Sequence, residues 1–270
     1  MRKIVYSLAF LAGMAALSSC SGAKEVALGV STSVQGEQSK NISLAKDKDG
    51  FISIFDGKTF NGWRGYGKEH VPARWTIEDG CMKFNAGQGE GGDIIFAHKF
   101  KNFILDMEWK VSKGANSGIF YLAQEAKNAQ GGMEPIFISA PECQVLDNER
   151  HPDAKLGAVL GIRQSSSLYD MIPAKPQNAN PAGQWNKVKI VVKNGKVTHY
   201  QNGVKVLSYK LWGEEWINLL QSSKFAENKW PIAFELLKNC GGDGHKGYFG
   251  FQDHGDEVWY RNIRVKVLDK

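Results

Sequence analysis

Apolar and polar residues alternate along most of this chain. The pattern is clearest in Phe103-Ile104-Leu105-Asp106-Met107-Glu108-Trp109-Lys110-Val111, where every second residue is large and apolar. It returns in Phe51-Ile52-Ser53-Ile54-Phe55, Asp93-Ile94-Ile95-Phe96, Glu142-Cys143-Gln144-Val145-Leu146, Lys187-Val188-Lys189-Ile190-Val191-Val192, Val197-Thr198-His199-Tyr200 and Val258–Val267. A period of two belongs to a strand with one face on a core. Asn194-Gly195 and Asn202-Gly203 punctuate three of these runs. Asn-Gly suits the positive-φ positions of a two-residue hairpin, so residues 187–207 are expected to form an antiparallel meander. Only residues 212–228 read as helix. Many short strands with one helix predict an all-β fold, a two-sheet antiparallel jelly-roll sandwich.

The alternation also assigns faces. Leu105, Met107, Trp109 and Val111 are expected in the core, with Asp106, Glu108 and Lys110 opposite. Glu142 and Gln144 share a face and alternate with Cys143 and Val145. Carboxylates, an amide and an amine are thus expected to converge on a polar sheet face.

Ahead of this body the composition changes. Arg2 and Lys3 precede an apolar run over residues 4–17 that is too short to span a bilayer, followed by Leu17-Ser18-Ser19-Cys20. That is the layout of a bacterial secretory signal ending in a lipid-modified cysteine. Residues 1–19 are expected to be a lipoprotein signal peptide. Cys20 would be the lipidation site that anchors the protein at the cell envelope, on a periplasmic or outer-membrane face. Residues 20–49, rich in Ser, Gly, Lys and Gln, read as a flexible tether, and residues 50–270 as one domain.

Lys and Arg number 34 against 28 Asp and Glu, a net charge of +6, and the cations are scattered rather than grouped in a stripe. No nucleic-acid partner is expected. Cys81, Cys143 and Cys240 form no CxxC pair, which argues against a thiolate zinc site and leaves buried thiols or one disulfide.

Phe51-Ile52-Ser53-Ile54-Phe55-Asp56-Gly57-Lys58-Thr59-Phe60-Asn61-Gly62-Trp63 resembles the "LFDGKTLDGW" opening of the 3-keto-disaccharide hydrolases, a bacterial family formerly known as a domain of unknown function. Further blocks follow in order: Trp75 in "RWTIEDG", Asn116-Ser117-Gly118-Ile119-Phe120, Glu142 to Asp147, Leu168-Tyr169-Asp170 with Pro173, Trp185-Asn186, Asn202-Gly203, Gln252-Asp253-His254-Gly255 and Arg261-Asn262-Ile263-Arg264. Cys143 and Trp259-Tyr260 depart from the family pattern, and residues 131–141 look like an insertion at one rim of a site. The resemblance implies a concanavalin-A-like sandwich acting on 3-keto glycosides, with a carbohydrate as substrate.

Oxidation at C3 acidifies the C2 hydrogen of a glycoside. A base can remove it, the enolate can expel the C1 substituent, and water can add afterwards; direct hydrolysis is the other route. Such chemistry needs a base of near-neutral pKa, a donor for the C3 oxygen and an acid for the leaving group. His254 is the first candidate for acid or base, with Asp253 or Asp256 to orient it. Glu142 is a second candidate, and Lys110 can polarise the C3 oxygen. Gln144, Asn116, Ser117, Tyr169, Trp75 and Asp253 are candidate sugar contacts. Asn116 and Ser117 read as the start of a turn, and Tyr169 and Trp75 offer stacking rings. Asp147 with Glu142 and Gln144 offers oxygen ligands suited to calcium or a similar divalent cation, although nothing in the chain demands a cofactor. His151 and Asp153 read as exposed loop charge. No Rossmann fingerprint is present, so a separate sugar 3-dehydrogenase is expected to supply the substrate. The rival reading is a non-catalytic carbohydrate-binding lipoprotein, since sandwiches also serve as lectins. A conventional glucanase is disfavoured because Gln144 stands where an acidic residue would be needed.

Overall fold

Two antiparallel sheets take up the alternating segments in a computed structural model that describes residues 24–36 and 38–269. In chain order the strands begin with β1 (Lys24–Ser31), β2 (Ser39–Lys46), β3 (Ile52–Ser53), β4 (Trp63–Gly65), β5 (Trp75–Glu78), β6 (Cys81–Phe84), β7 (Ile94–Phe100) and β8 (Phe103–Val111). They continue with β9 (Asn116–Ala123), β10 (Glu142–Leu146), β11 (Asn186–Lys193), β12 (Lys196–Gln201), β13 (Val204–Lys210), β14 (Gly247–Phe251) and β15 (Val258–Val267). A ten-stranded sheet runs β1-β2-β3-β15-β8-β11-β12-β13, with the β5–β6 hairpin joined to β15; a five-stranded sheet runs β10-β9-β14-β7-β4. The all-β two-sheet sandwich expected from the pattern is the fold.

The inner faces interlock through aromatic rings. Phe251 of the small sheet stacks on Tyr260 of the large one with ring centroids 4.1 Å apart, and Phe249 meets Phe103 edge-on at 4.6 Å. Leu105, Met107, Trp109 and Val111 are all buried, as the alternation requires. The two Asn-Gly hairpins join β11 to β12 and β12 to β13, with φ of 50° and 77° at Asn194 and Gly195 and of 49° and 83° at Asn202 and Gly203.

Three expectations are corrected. Much of the tether is an ordered hairpin: β1 and β2 pair along their full lengths and extend the large sheet. Val26 faces Leu44 and Leu28 faces Ile42 across it, so a short period-two signal was masked by polar composition. The single helix is two, α1 (Glu214–Gln221) and α2 (Pro231–Lys238), which pack on each other with Trp216 Nε1 donating to Leu237 O at 2.9 Å. Asn116 and Ser117 open strand β9 rather than a turn. Cys81, Cys143 and Cys240 are free and buried. The signal peptide and Cys20 lie outside the described residues. Among those residues no helix is long and apolar enough to cross a membrane.

The outer face of the small sheet is half covered. Residues 124–141 lie across it, burying Ile136 and Ala140 against Tyr66, Ile95, Phe120 and Tyr248. This segment is pinned by a buried two-pronged ion pair, Arg64 to Glu125 at 2.6 and 2.8 Å, and Glu125 also accepts the Gly67 N–H at 2.8 Å. Removing one member of a buried pair leaves an uncompensated charge, which costs about 3–5 kcal/mol. Arg64→Met is expected to lower stability by that amount in urea unfolding, and the double variant Arg64→Met/Glu125→Leu to recover most of it.

Candidate active site

The uncovered half of that outer face forms a pocket of about 270 Å³. Period two turns Cys143, Val145, Ile119 and Phe251 into the core, and so turns Glu142 and Gln144 of β10 and Asn116 of β9 outward. Gln252 just after β14 and Asp93 just before β7 obey the same parity. Residues from three flanking segments close the sides: Asp153 and Tyr169, Phe137, and Lys224 beyond α1.

Gly118 determines where the Glu142 carboxyl lies. Gln144 is paired with Gly118 and Glu142 with Phe120, so the Glu142 side chain lies across the glycine. A Cβ on Gly118 would overlap Glu142 Oε1 and come within 2.8 Å of the carboxyl carbon. Gly118 thus leaves a patch of floor without a side chain, and one buried acid lies on it.

Burial pushes the Glu142 carboxyl above the ordinary range; Lys224 opposes the shift, while Asp93 and Asp153 add to it. Asp93 is pushed up to about 7, by burial first; the Asp253 N–H, donated at 2.8 Å, opposes this, and the Asp253 charge adds to it. Burial likewise lowers the Lys224 ammonium, against the pull of Glu142 and Asp170. Its Nζ lies 4.5 Å from the Tyr169 ring centroid, 5.0 Å from Phe225 and 5.4 Å from Phe137. Arg163 braces this wall by pairing with Asp153 at 3.1 Å and Asp170 at 2.7 Å. Tyr169 Oη donates to the same Asp153 at 3.2 Å, and Asp170 accepts the Lys224 N–H at 2.8 Å. At the mouth, Asn116 Nδ2 lies 3.3 Å from His254 Nε2, and the Asn116 N–H donates to Asp256 at 3.0 Å. The Asn116 Oδ1 is buried and has no partner.

Of the residues expected from sequence, Glu142, Gln144, Asn116, Tyr169, Asp253 and His254 line this pocket. The others do not. Lys110 lies on the outer face of the large sheet, its Nζ 4.6 Å from the Trp259 ring centroid and 5.0 Å from Trp185. Alternation gave it a polar face, but that face is on the opposite side of the sandwich from Glu142. Ser117 points inward, donating to Gln252 O at 2.7 Å and bonding Tyr260 Oη at 2.8 Å. Trp75 is a core residue whose Nε1 donates to Gly92 O at 2.9 Å. Asp147 is absorbed by its own loop: burial works against its ionisation, but the N–H groups of Gly114 and Glu149 and the Arg150 guanidinium outweigh it and hold the carboxyl low. Asp147 is not among the residues lining the pocket that Glu142 and Gln144 share.

Sequence reasoning missed Asp93, Lys224, Gln252 and Phe137, and read Asp153 as loop charge. Strand parity pointed outward for Asp93 and Gln252; Lys224 carried no local signal. A larger groove of about 390 Å³ on the large sheet holds Asp47, Asp106 and Glu108. There Arg264 pairs with Asp47 and Asp106, and Arg261 with Glu108. Its acids are thus paired with arginines, whereas Glu142 in the smaller pocket is in no ion pair among the described residues.

A β-sandwich whose open sheet face buries an acid of raised pKa beside a lysine enclosed by aromatic rings is suited to carry an acid–base site. The family model described as the 3-keto-alpha-glucoside-1,2-lyase-like domain matches residues 50–266, and the chain belongs to that family of enzymes. A 3-keto-disaccharide hydrolase of Bacteroides thetaiotaomicron is 60% identical over 291 aligned residues, covering 100% of both chains. A crystal structure from Parabacteroides distasonis, provisionally assigned as a glycosyl hydrolase, superposes with a TM-score of 0.68 at 29% identity, covering 82% of this chain and 95% of that one. A second such protein of the same organism gives a TM-score of 0.52 at 25% identity, with coverages of 81% and 84%.

Two outcomes follow from the Gly118 floor. Gly118→Ala is expected to push the Glu142 carboxyl off its seat and lower kcat/KM by about 100-fold or more, while circular dichroism stays that of the wild type. Because the Glu142 pKa is raised on folding, its ionisation penalises the fold. The penalty is absent below its unfolded value near 4.5 and grows with pH until the folded-state value is passed, at ~1.4 kcal/mol per unit of elevation. Glu142→Gln should therefore raise Tm at pH 8 relative to wild type and lose that advantage at pH 4.

Proposed function

We propose that this protein cleaves 3-keto glycosides by way of their C2–H bond, with Glu142 as the base. The Glu142 carboxylate takes the C2 proton and the electron pair moves into an enolate spanning C2, C3 and the C3 oxygen. The enolate then expels the C1 substituent, which gains a proton as it leaves, and water adds to the resulting enone. The glycosidic bond is cleaved by water overall, with no change in oxidation state. The observation that carries this reading is the Glu142 carboxyl buried on the Gly118 floor with its pKa raised, because such a carboxylate is a stronger base than an exposed one. Lys224, held against Tyr169 and Phe137, supplies positive charge for the enolate oxygen, the role first expected of Lys110. Gln144 and Gln252 offer amides to the sugar oxygens, and the leaving group takes its proton from water at the open mouth of the pocket.

The layout of the first twenty residues supports a lipid anchor at Cys20 and action at the envelope. A separate sugar 3-dehydrogenase has to supply the keto substrate.

Aglycone release from a 3-keto glucoside and from its unoxidised parent tests the proposal. Turnover is expected for the keto compound alone, and Glu142→Gln should lower kcat by about 10²–10⁴-fold. Deuterium at C2 should slow the wild type, whereas direct hydrolysis would leave the rate unchanged. The rate should rise with pH as Glu142 ionises, against Asp93 and Asp153 and with Lys224, with a midpoint above the ordinary carboxylate range. Asp93→Asn should move that midpoint down. Equal turnover of the parent glucoside would overturn the assignment.

A further inference from the structure

At the mouth of the pocket and beside Asn116, three residues, His151, His254 and Asp256, bring one ligand atom each to within 4.8 Å of one another. They come from two loops: His151 follows β10, and His254 and Asp256 lie between β14 and β15. The two imidazole rings meet edge to face, with centroids 5.9 Å apart. We propose that His151, His254 and Asp256 bind one divalent first-row transition-metal ion, with the side-chain amide of Asn116 turned toward it.

Two imidazoles and a carboxylate form a mixed nitrogen and oxygen donor set. That set suits zinc, cobalt or manganese, whereas calcium and magnesium favour oxygen donors throughout. Asn116 is an independent indication. It is 2% exposed, its Oδ1 has no partner, and its Nδ2 lies 3.3 Å from His254 Nε2. Exchanging the amide oxygen and nitrogen still leaves one end unpaired, so the protein alone cannot satisfy this group. A cation between the histidines gives the oxygen a partner. Asp256 is already aimed: its Oδ2 accepts the Asn116 N–H at 3.0 Å, which leaves Oδ1 to ligate. His151 must make one adjustment. Its Nδ1 accepts the Asp153 N–H at 3.1 Å, so the neutral ring carries its proton on Nε2. Ligation through Nε2 moves that proton to Nδ1 and gives up the one backbone bond.

This set differs from the Asp147, Glu142 and Gln144 group expected from sequence, and it does not depend on the assignment of Glu142 as base. The test uses the full chain stripped with a chelator and titrated with Co²⁺ alone. Visible ligand-field bands and one Co²⁺ per chain are expected. His254→Ala and His151→Ala should each weaken Co²⁺ binding by more than about 100-fold, since even residues that only support ligands cost about 10–100-fold. Co²⁺ should raise Tm of the stripped wild type and leave that of His254→Ala unchanged. Near-ultraviolet circular dichroism and His254→Gln check that loss of binding is not loss of fold. Absence of bands in the wild type, or equal Co²⁺ binding in wild type and both histidine variants, would overturn the site. Tighter binding of Ca²⁺ than of Co²⁺ at the same residues would overturn its class.

Discussion

Burying the Glu142 carboxyl on the outer face of the small sheet is the constraint around which the site is arranged. A carboxylate taken from water is costly unless it is paired or protonated, and no cation contacts Glu142 closely enough among the described residues to form an ion pair. Its cost is instead moderated at a distance by Lys224, which must itself be held. Tyr169, Phe137 and Phe225 surround that ammonium, and Arg163, through Asp153 and Asp170, holds the wall behind it. One polar position on β10 therefore engages segments that are far apart in the chain.

The two sheets divide the work. The large sheet turns outward a surface whose charges are matched, with Arg261 on Glu108 and Arg264 on Asp106 and Asp47. On the open face of the small sheet, Glu142 and Asp93 are in no ion pair among the described residues, and burial raises the pKa of both carboxyls. Half of that sheet's outer face is sealed by residues 124–141, held by Arg64 and Glu125, and this segment brings Phe137 to the edge of the open half. Restricted access to water strengthens every electrostatic interaction that remains.

The relatives fit this division. The matched family domain starts at residue 50, beyond the β1–β2 hairpin, so the hairpin extends the large sheet at its far edge and contributes nothing to the pocket. Every residue lining the pocket lies within the span that matches the family.

Alternation is a local property, and what it determined was local. It placed Leu105, Met107, Trp109 and Val111 inward, the Asn-Gly pairs at hairpins, and Glu142 and Gln144 on one face of one strand. It could not say which polar faces look at each other. Lys110 and Glu142 obey the same rule on strands of different sheets, and those sheets turn their polar faces in opposite directions. Ser117 and Trp75 stand in blocks shared with the family, yet their parity and packing put them in the core. Lys224 and Asp93 are adjacent to nothing informative in the chain. They reach Glu142 because strand order β10-β9-β14-β7 and the packing of the α1 region bring distant segments together, and such long-range pairing is decided by burial of the whole core.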